Sequence, residues 1–235
     1  HWYIVGTVMF VRTVVGVPAG TELTIPYIDF WNSREERSRL LAERDMRCAC
    51  SRCQASDTFD NVRCHQCGNE MRGSEGAWYC NTCDRTTTNA QVERASAELR
   101  EQLQTADDLG RSGDSHSAYE ILQEVERALQ HEDVGNPLAF QSHYFLRMAH
   151  VSAEVKDKPR ALQYMKMGVA CLMEHSQGRV AGVVPALVRL ASLCARFGQV
   201  GPVPQVTKQA MGLHKTFFGG GQSLFYERFR AELGL

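Results

Sequence analysis

The 235-residue sequence contains no run of about 18 consecutive apolar residues, so no membrane-spanning helix is expected. No charged-then-apolar signal pattern opens it either, and no secretory leader is expected. An excess of one charge is also missing: 26 Lys and Arg stand against 27 Asp and Glu, a formal net charge of −1. A general nucleic-acid binder would carry a basic surplus, so that class is disfavoured. Proline, at 7, and glycine, at 19, are too few for a collagen-like chain. With 43% apolar residues the chain can build a core and is not of disordered composition. No basic cluster of about five to eight residues reads as an import signal, so cytoplasm and nucleus stay equally open as intracellular sites. The first residue is His1 rather than Met, and the chain is expected to be a fragment.

What is present is unevenly placed. Seven of the nine cysteines fall between Cys48 and Cys83, leaving Cys171 and Cys194 as small apolar residues on helical faces. Dense, short-spaced pairs point to metal thiolates in a reducing compartment rather than to disulfides. Charge is polarised as well. Residues 84–133 hold 5 basic and 12 acidic side chains, whereas residues 134–235 hold 12 and 5. Two solvated helix faces would explain this, as would a basic groove for an acidic partner peptide.

The opening stretch Trp2–Val15 is dense in Val, Ile, Tyr and Phe, broken at Gly6-Thr7. It predicts two short strands, with a third through Glu22–Ile25 after the Pro18-Ala19-Gly20 turn. Ser33 and Glu36 predict a capping box that starts a helix. From Gln91 onward the period is helical, with breaks at Gly113-Asp114, Asn136-Pro137, Asp157–Pro159, 178–182, Gly198–Pro202 and Gly219–Gly221. The pieces between them suit paired antiparallel helices. They also repeat. Ala106, Ala149 and Ala191 are each followed twelve positions later by Ala118, Ala161 and Val203. Leu122, Met165 and Thr207 come next, then Val125, Gly168 and Ala210. Small residues at fixed spacing let two helices approach closely, as in tetratricopeptide-type pairs, and Thr207 makes the third unit the weakest.

Cys64-x2-Cys67 and Cys80-x2-Cys83, twelve residues apart, supply the four sulphurs of a tetrahedral Zn²⁺ site. Such a shell is closed and structural, so His65 need not be a ligand. Gly68 and Gly73 suit tight turns, and Trp78-Tyr79 an apolar cap. Cys48, Cys50 and Cys53 add three thiolates, one short of a closed site, which leaves water or a distant residue as the fourth ligand.

Residues 18–29, PAGTELTIPYID, resemble the last core motif of SET-domain lysine methyltransferases. The Ser33–Arg37 helix start and the C-x-C-x2-C cluster resemble the SET–MYND branch and its post-SET zinc site. A tetratricopeptide-like domain at the end fits the same branch, and the cysteine ribbon is a variation on it. The resemblance implies that Tyr27 lines the methyl-transfer channel as the catalytic tyrosine and that Met46 packs on the adenine of S-adenosylmethionine. It also implies that an Asn-His-Ser-Cys segment, with the fourth ligand of the Cys48, Cys50 and Cys53 site, lies before His1. The second channel aromatic would fall near Arg44, where there is none.

The expectation is therefore a mainly α chain with a small β and zinc-binding N-terminal part. Its divisions would be a partial SET β-fold over 1–47, a post-SET cluster and linker over 48–63, a zinc ribbon over 64–83, and antiparallel tetratricopeptide-like repeats over 91–235. The expected cofactors are Zn²⁺ and, in the complete protein, S-adenosylmethionine. A monomer is expected, with a protein substrate or partner at the helical domain, no membrane and no nucleic acid. The rival reading is a non-enzymatic, zinc-stapled adaptor. A C-terminal-carboxylate clamp is not expected there, because the positions that would form it hold Leu103, Asp107, Leu146 and His150.

Overall fold

The computed structural model describes residues 1–28, 32–54, 60–64, 66–74, 76–131, 136–176 and 180–234. Asp29 and His65 lie outside the described residues, as do positions 55–59 of the cysteine linker and 178–179 of the fourth helical break. In chain order the elements are strands β1 (Trp2–Val5) and β2 (Val8–Val11), then helices α1 (Arg34–Ala42) and α2 (Ser51–Gln54). Strands β3 (Val62–Arg63), β4 (Glu70–Ser74), β5 (Ala77–Tyr79) and β6 (Thr86–Thr88) lead into helices α3 (Asn89–Ser112) and α4 (Ser115–His131). Strand β7 (Asn136–Pro137) precedes α5 (Leu138–Glu154), α6 (Lys158–Ser176), α7 (Val183–Arg196), α8 (Val203–Phe218), α9 (Gln222–Arg228) and α10 (Arg230–Leu233). The chain is mainly helical with small antiparallel sheets, as expected. Among the described residues no helix is long and apolar enough to cross a membrane. Two compact units result, Trp31–Cys171 and His1–Phe30 with Leu172–Leu235.

In the first unit α1 starts at Ser33, whose hydroxyl accepts from the Glu36 N–H at 3.2 Å. The return half of the expected box is not made. Arg39 holds the Glu36 carboxylate at 2.7 and 3.0 Å, and Arg100 lies 3.7 Å from it. The hydrogen bond from Arg39 keeps that carboxyl below its usual range. A reciprocal capping box forms instead at α3, between Thr88 and Gln91, directly after the sheet. Strands run in the order β6-β5-β4-β3-β7, all antiparallel. One face carries a core of Val62, Met71 and Val92 with Trp78 against it.

Helices α3 and α4 form a hairpin. Gly113 (φ +89°) ends α3, and the Asp114 carboxylate accepts from the Ser117 N–H at 3.1 Å to begin α4. Asp157 caps α6 in the same way, accepting from the Arg160 N–H at 3.3 Å. Close approach of α5 and α6 depends on Gly168: a Cβ there would sit 2.8 Å from Leu146 Cδ2. Tyr144 meets Tyr164 edge-on at 5.8 Å across the same pair. The repeat positions Ala106, Ala118, Leu122, Val125, Ala149, Ala161, Met165 and Gly168 are all buried.

In the second unit β1 and β2 make a two-residue hairpin at Gly6-Thr7, with Val5 opposite Val8 and Gly6 at φ +60°. The expected strand through Glu22–Ile25 does not form. Among the described residues β1 and β2 pair only with each other, and that segment has no ladder to join; the Pro26 carbonyl instead accepts from Trp2 Nε1 at 2.9 Å. Tyr3 stacks on Phe10 at 5.2 Å and donates its hydroxyl to the Phe218 carbonyl at 2.7 Å, while Ile4, Met9 and Val11 are exposed. Helices α7 and α8 form another hairpin around Gly198 (φ +78°). Ala191 and Ala210 are buried there, but Val203 and Thr207 are only half-buried. Cys194 here and Cys171 at the end of the first unit are both buried, as expected of small core residues.

His214 of α8 sits among Phe218, Phe225 and Phe229 at 5.0–6.0 Å, with Nε2 buried and unpaired. Burial, helped by Arg228, holds its pKa below the usual histidine value. The unfolded state therefore binds the proton more readily. The stability contributed by the neutral ring is complete above the unfolded pKa, near 6.5, and drains away as pH falls through that value towards the folded one. His143, pushed to about 4 by burial and Arg147, adds to the slope in the same sense. The expected result is a lower thermal midpoint at pH 5.5 than at 7.5. His214→Phe should flatten that difference without abolishing it, as read by melting across pH.

Candidate metal centre

Cys64 and Cys83 bring their sulphurs to 3.4 Å, Cys67 and Cys80 to 3.4 Å, and Cys67 and Cys83 to 3.7 Å. A disulphide would require about 2.05 Å. A zinc–sulphur bond of about 2.3 Å places tetrahedral ligands about 3.8 Å apart, close to what these thiols already show. The donor set fits Zn²⁺ with an expansion of a few tenths of an ångström. Two turns with the same hydrogen-bond pattern produce it. The Cys64 N–H donates to Asn69 O and the Gly68 N–H to Cys64 O, both at 2.8 Å. Sixteen positions on, the Cys80 N–H donates to Arg85 O at 2.8 Å and the Asp84 N–H to Cys80 O at 2.9 Å.

Gly68 (φ +71°) and Asp84 (φ +56°) hold the same left-handed position in the two turns. Gly68 thus serves the turn, as expected. Gly73 does not: it lies in β4, where a Cβ would stand 3.3 Å from the Trp78 ring, so it makes room for the indole. The indole packs on the cysteine core, whereas Tyr79 is exposed, so Trp78 alone makes the apolar cap. Side chains also tie the turns together, Asn69 donating to Thr82 at 3.0 Å and Arg85 to Gln66 at 2.8 Å.

The backbone N–H groups of Thr82 and Cys83 pull the Cys80 thiol down to about 6. Burial pushes its neighbour Cys83 up to about 12. Donors of this kind stabilise thiolate charge around a metal.

A second group, Cys48, Cys50 and Cys53, has all three sulphurs within 4.8 Å of one another. Cys48 and Cys50 are exposed and Cys53 half-buried. Among the described residues no fourth His, Cys, Asp or Glu joins them. The turn after α1 leads into this group: the Met46 N–H donates to Leu41 O at 2.9 Å, with Asp45 left-handed at φ 54°. Met46 itself is half-buried, two residues before Cys48. Tyr27 belongs to the other unit and is exposed.

No protein-family model matches the chain, and no curated protein matches its sequence.

Sequence reasoning did not anticipate a cleft of about 270 Å³ beside the ribbon. Trp78, Val62, Arg34, Asp60, Glu93 and Arg100 contribute to its lining, and the Arg34 N–H donates to Asp60 at 2.5 Å. The signal lay only in residues that the fold assembles from α1, the sheet and α3. Of the four positions where a carboxylate clamp would need Lys and Asn, Leu103 is buried and Asp107 is held by Arg147 through Nη2 and Nε at 2.6 and 2.7 Å.

Proposed function

We propose that the chain is the C-terminal part of a SET–MYND-type protein-lysine methyltransferase, which passes a methyl group from S-adenosylmethionine to a lysine ε-amine on a histone or other protein. The observation that carries this reading is the convergence of Cys48, Cys50 and Cys53 on one point immediately after the Ser33-capped helix. The methyl-channel motif at residues 18–29 precedes them in the sequence, in the order that the resemblance requires. Zinc there would be structural, fastening the end of the catalytic fold. The half-buried Met46 and the exposed Tyr27 both keep surface to give to a ligand. Met46 would pack its thioether on the adenine of S-adenosylmethionine. The Tyr27 hydroxyl would orient the lysine amine for in-line attack. The donor supplies an electrophilic methyl on sulphonium. The helical hairpins, read as tetratricopeptide-like pairs, would wall the substrate cleft and select protein partners. By itself the chain would bind the donor poorly and turn over little.

The adaptor reading draws on a different observation, the four-thiolate ribbon built through Val92 onto the first helical hairpin. Such a staple needs no methyl donor. Calorimetric titration of S-adenosylmethionine into the product of the complete reading frame, with methyl transfer to protein lysine, separates the two. We expect donor binding in that product, and at least an approximately 100-fold loss of transfer in Tyr27→Phe with binding retained. No donor binding and no transfer would leave the adaptor.

A further inference from the structure

We propose that the cleft beside the cysteine ribbon binds an exposed arginine side chain of a partner protein, with the guanidinium paired to Glu35 and Glu93 and the stem laid against Trp78. Such a site would serve a methyltransferase and an adaptor alike, and depends on neither reading. The cleft lies within one compact unit, where α1, the sheet and α3 meet. Its apolar part is Val62 of β3, Val92 of α3 and the half-buried Trp78 of β5. A volume of about 270 Å³ falls just under the range of about 300–1,000 Å³ common for small-molecule pockets. One long side chain fits that space better than a whole cofactor does.

Charge decides which side chain. Two cations border the cleft, and each already stands beside a carboxylate: Arg34 lies 3.8 Å from Asp60, and Arg100 lies 3.7 Å from Glu36. Glu35 of α1 and Glu93 of α3 also line it; both are exposed and form no ion pair among the described residues. The lining therefore holds two carboxylates in surplus, and a cation complements them. An anion finds no donors there. The two helix starts beside the cleft are capped, α1 by Ser33 and Asp60 and α3 by Thr88, so their N–H groups are taken. Among cations, a guanidinium suits the lining best. It is planar and weakly hydrated, so its face can lie on an indole while its edge meets a carboxylate with two N–H groups. A lysine ammonium is compact and strongly hydrated, and offers no such fork. Free arginine would bring its own carboxylate against the surplus, so the ligand is an arginine within a chain.

The test titrates the full, zinc-loaded chain with the blocked peptide acetyl-Gly-Gly-Arg-Gly-Gly-amide and with its lysine and citrulline counterparts, citrulline being the uncharged isostere. The readout is the NMR shift of the Trp78 indole N–H. The chain has three tryptophans, and this signal is the one kept in both Trp2→Phe and Trp31→Phe. The arginine peptide is expected to move it saturably, with the lysine peptide about 3–10-fold weaker and the citrulline peptide at least about 10-fold weaker. Glu35→Gln and Glu93→Gln should each weaken the arginine peptide by about 3–10-fold. Both residues are exposed, so neither change disturbs the core. No saturable movement at Trp78, or a citrulline peptide that binds as tightly as the arginine one, would overturn the proposal. Unchanged affinity in either glutamine variant would overturn it too, because the attraction would then not come from the cleft. Free L-arginine binding as tightly as the peptide would overturn a protein side chain as the ligand.

Discussion

Replacing Cys80 with serine is expected to release one zinc per chain and to unfold the ribbon, whereas Cys50→Ser should leave the ribbon and its zinc intact. The contrast follows from where the sulphurs sit. Cys80 is buried within the cluster of Val62, Met71, Val92 and Trp78, and its sulphur lies 3.4 Å from that of Cys67. The strands that carry this cluster are short, two to five residues each, and could not bury enough apolar surface to persist alone. Structural zinc supplies about 10–16 kcal/mol of apparent binding free energy in comparable small sites, which is folding free energy once the apo form is unfolded. Loss of the metal should therefore expose Trp78 and free the start of α3, because Thr88 and Gln91 cap that helix from the end of β6. Cys50 is exposed, and its loss uncovers little. Elemental analysis after chelator-free purification, with limited proteolysis across residues 61–88, reads both variants. A Cys80→Ser chain that keeps its zinc and its protease resistance would refute the closed four-thiolate site.

The four-thiolate site was legible because its ligands are close in sequence and their spacing alone determines their convergence. The same spacing rule brought Cys48, Cys50 and Cys53 together, and the helix breaks at Gly113-Asp114 and Gly198–Pro202 were legible for a similar local reason. What failed was non-local. Glu36 should cap its own helix, but Arg39 and the distant Arg100 compete for its carboxylate and win. Glu22–Ile25 has strand propensity, yet propensity produces no ladder without a neighbouring strand. Asp84 carries no outward sign of a left-handed backbone; only its equivalence to Gly68 in the second turn reveals one. The Thr88–Gln91 box was present as a T-x-x-Q signature and was missed because it stands at the junction of sheet and helix. Arg37 stands in a helix start rich in both charges, where the sequence gives no sign that it is buried.

Ala161→Leu should cost far more than Val203→Leu, although the sequence repeat puts the two residues at equivalent positions. Ala161 opens α6, is fully buried and lies one turn before Met165 on the face that continues to Gly168. At Gly168 even a Cβ would collide with Leu146, so α5 and α6 are already as close as side chains permit on this face. Three added heavy atoms at Ala161 must push α6 away or force strained rotamers, an overpacking cost of about 1–3 kcal/mol or more. Val203 opens α8 but is only half-buried, and its repeat partner Thr207 is half-buried too. An extra methylene there can turn to solvent, so Val203→Leu should stay within about 0.5 kcal/mol. The third hairpin thus keeps its buried Ala191 and Ala210 while relaxing the positions between them. Urea unfolding of both variants, monitored by circular dichroism, measures the difference directly. Equal costs would mean that the three hairpins share one packing geometry after all. A large gap would mean that the last hairpin shares the repeat spacing without being held to it by packing.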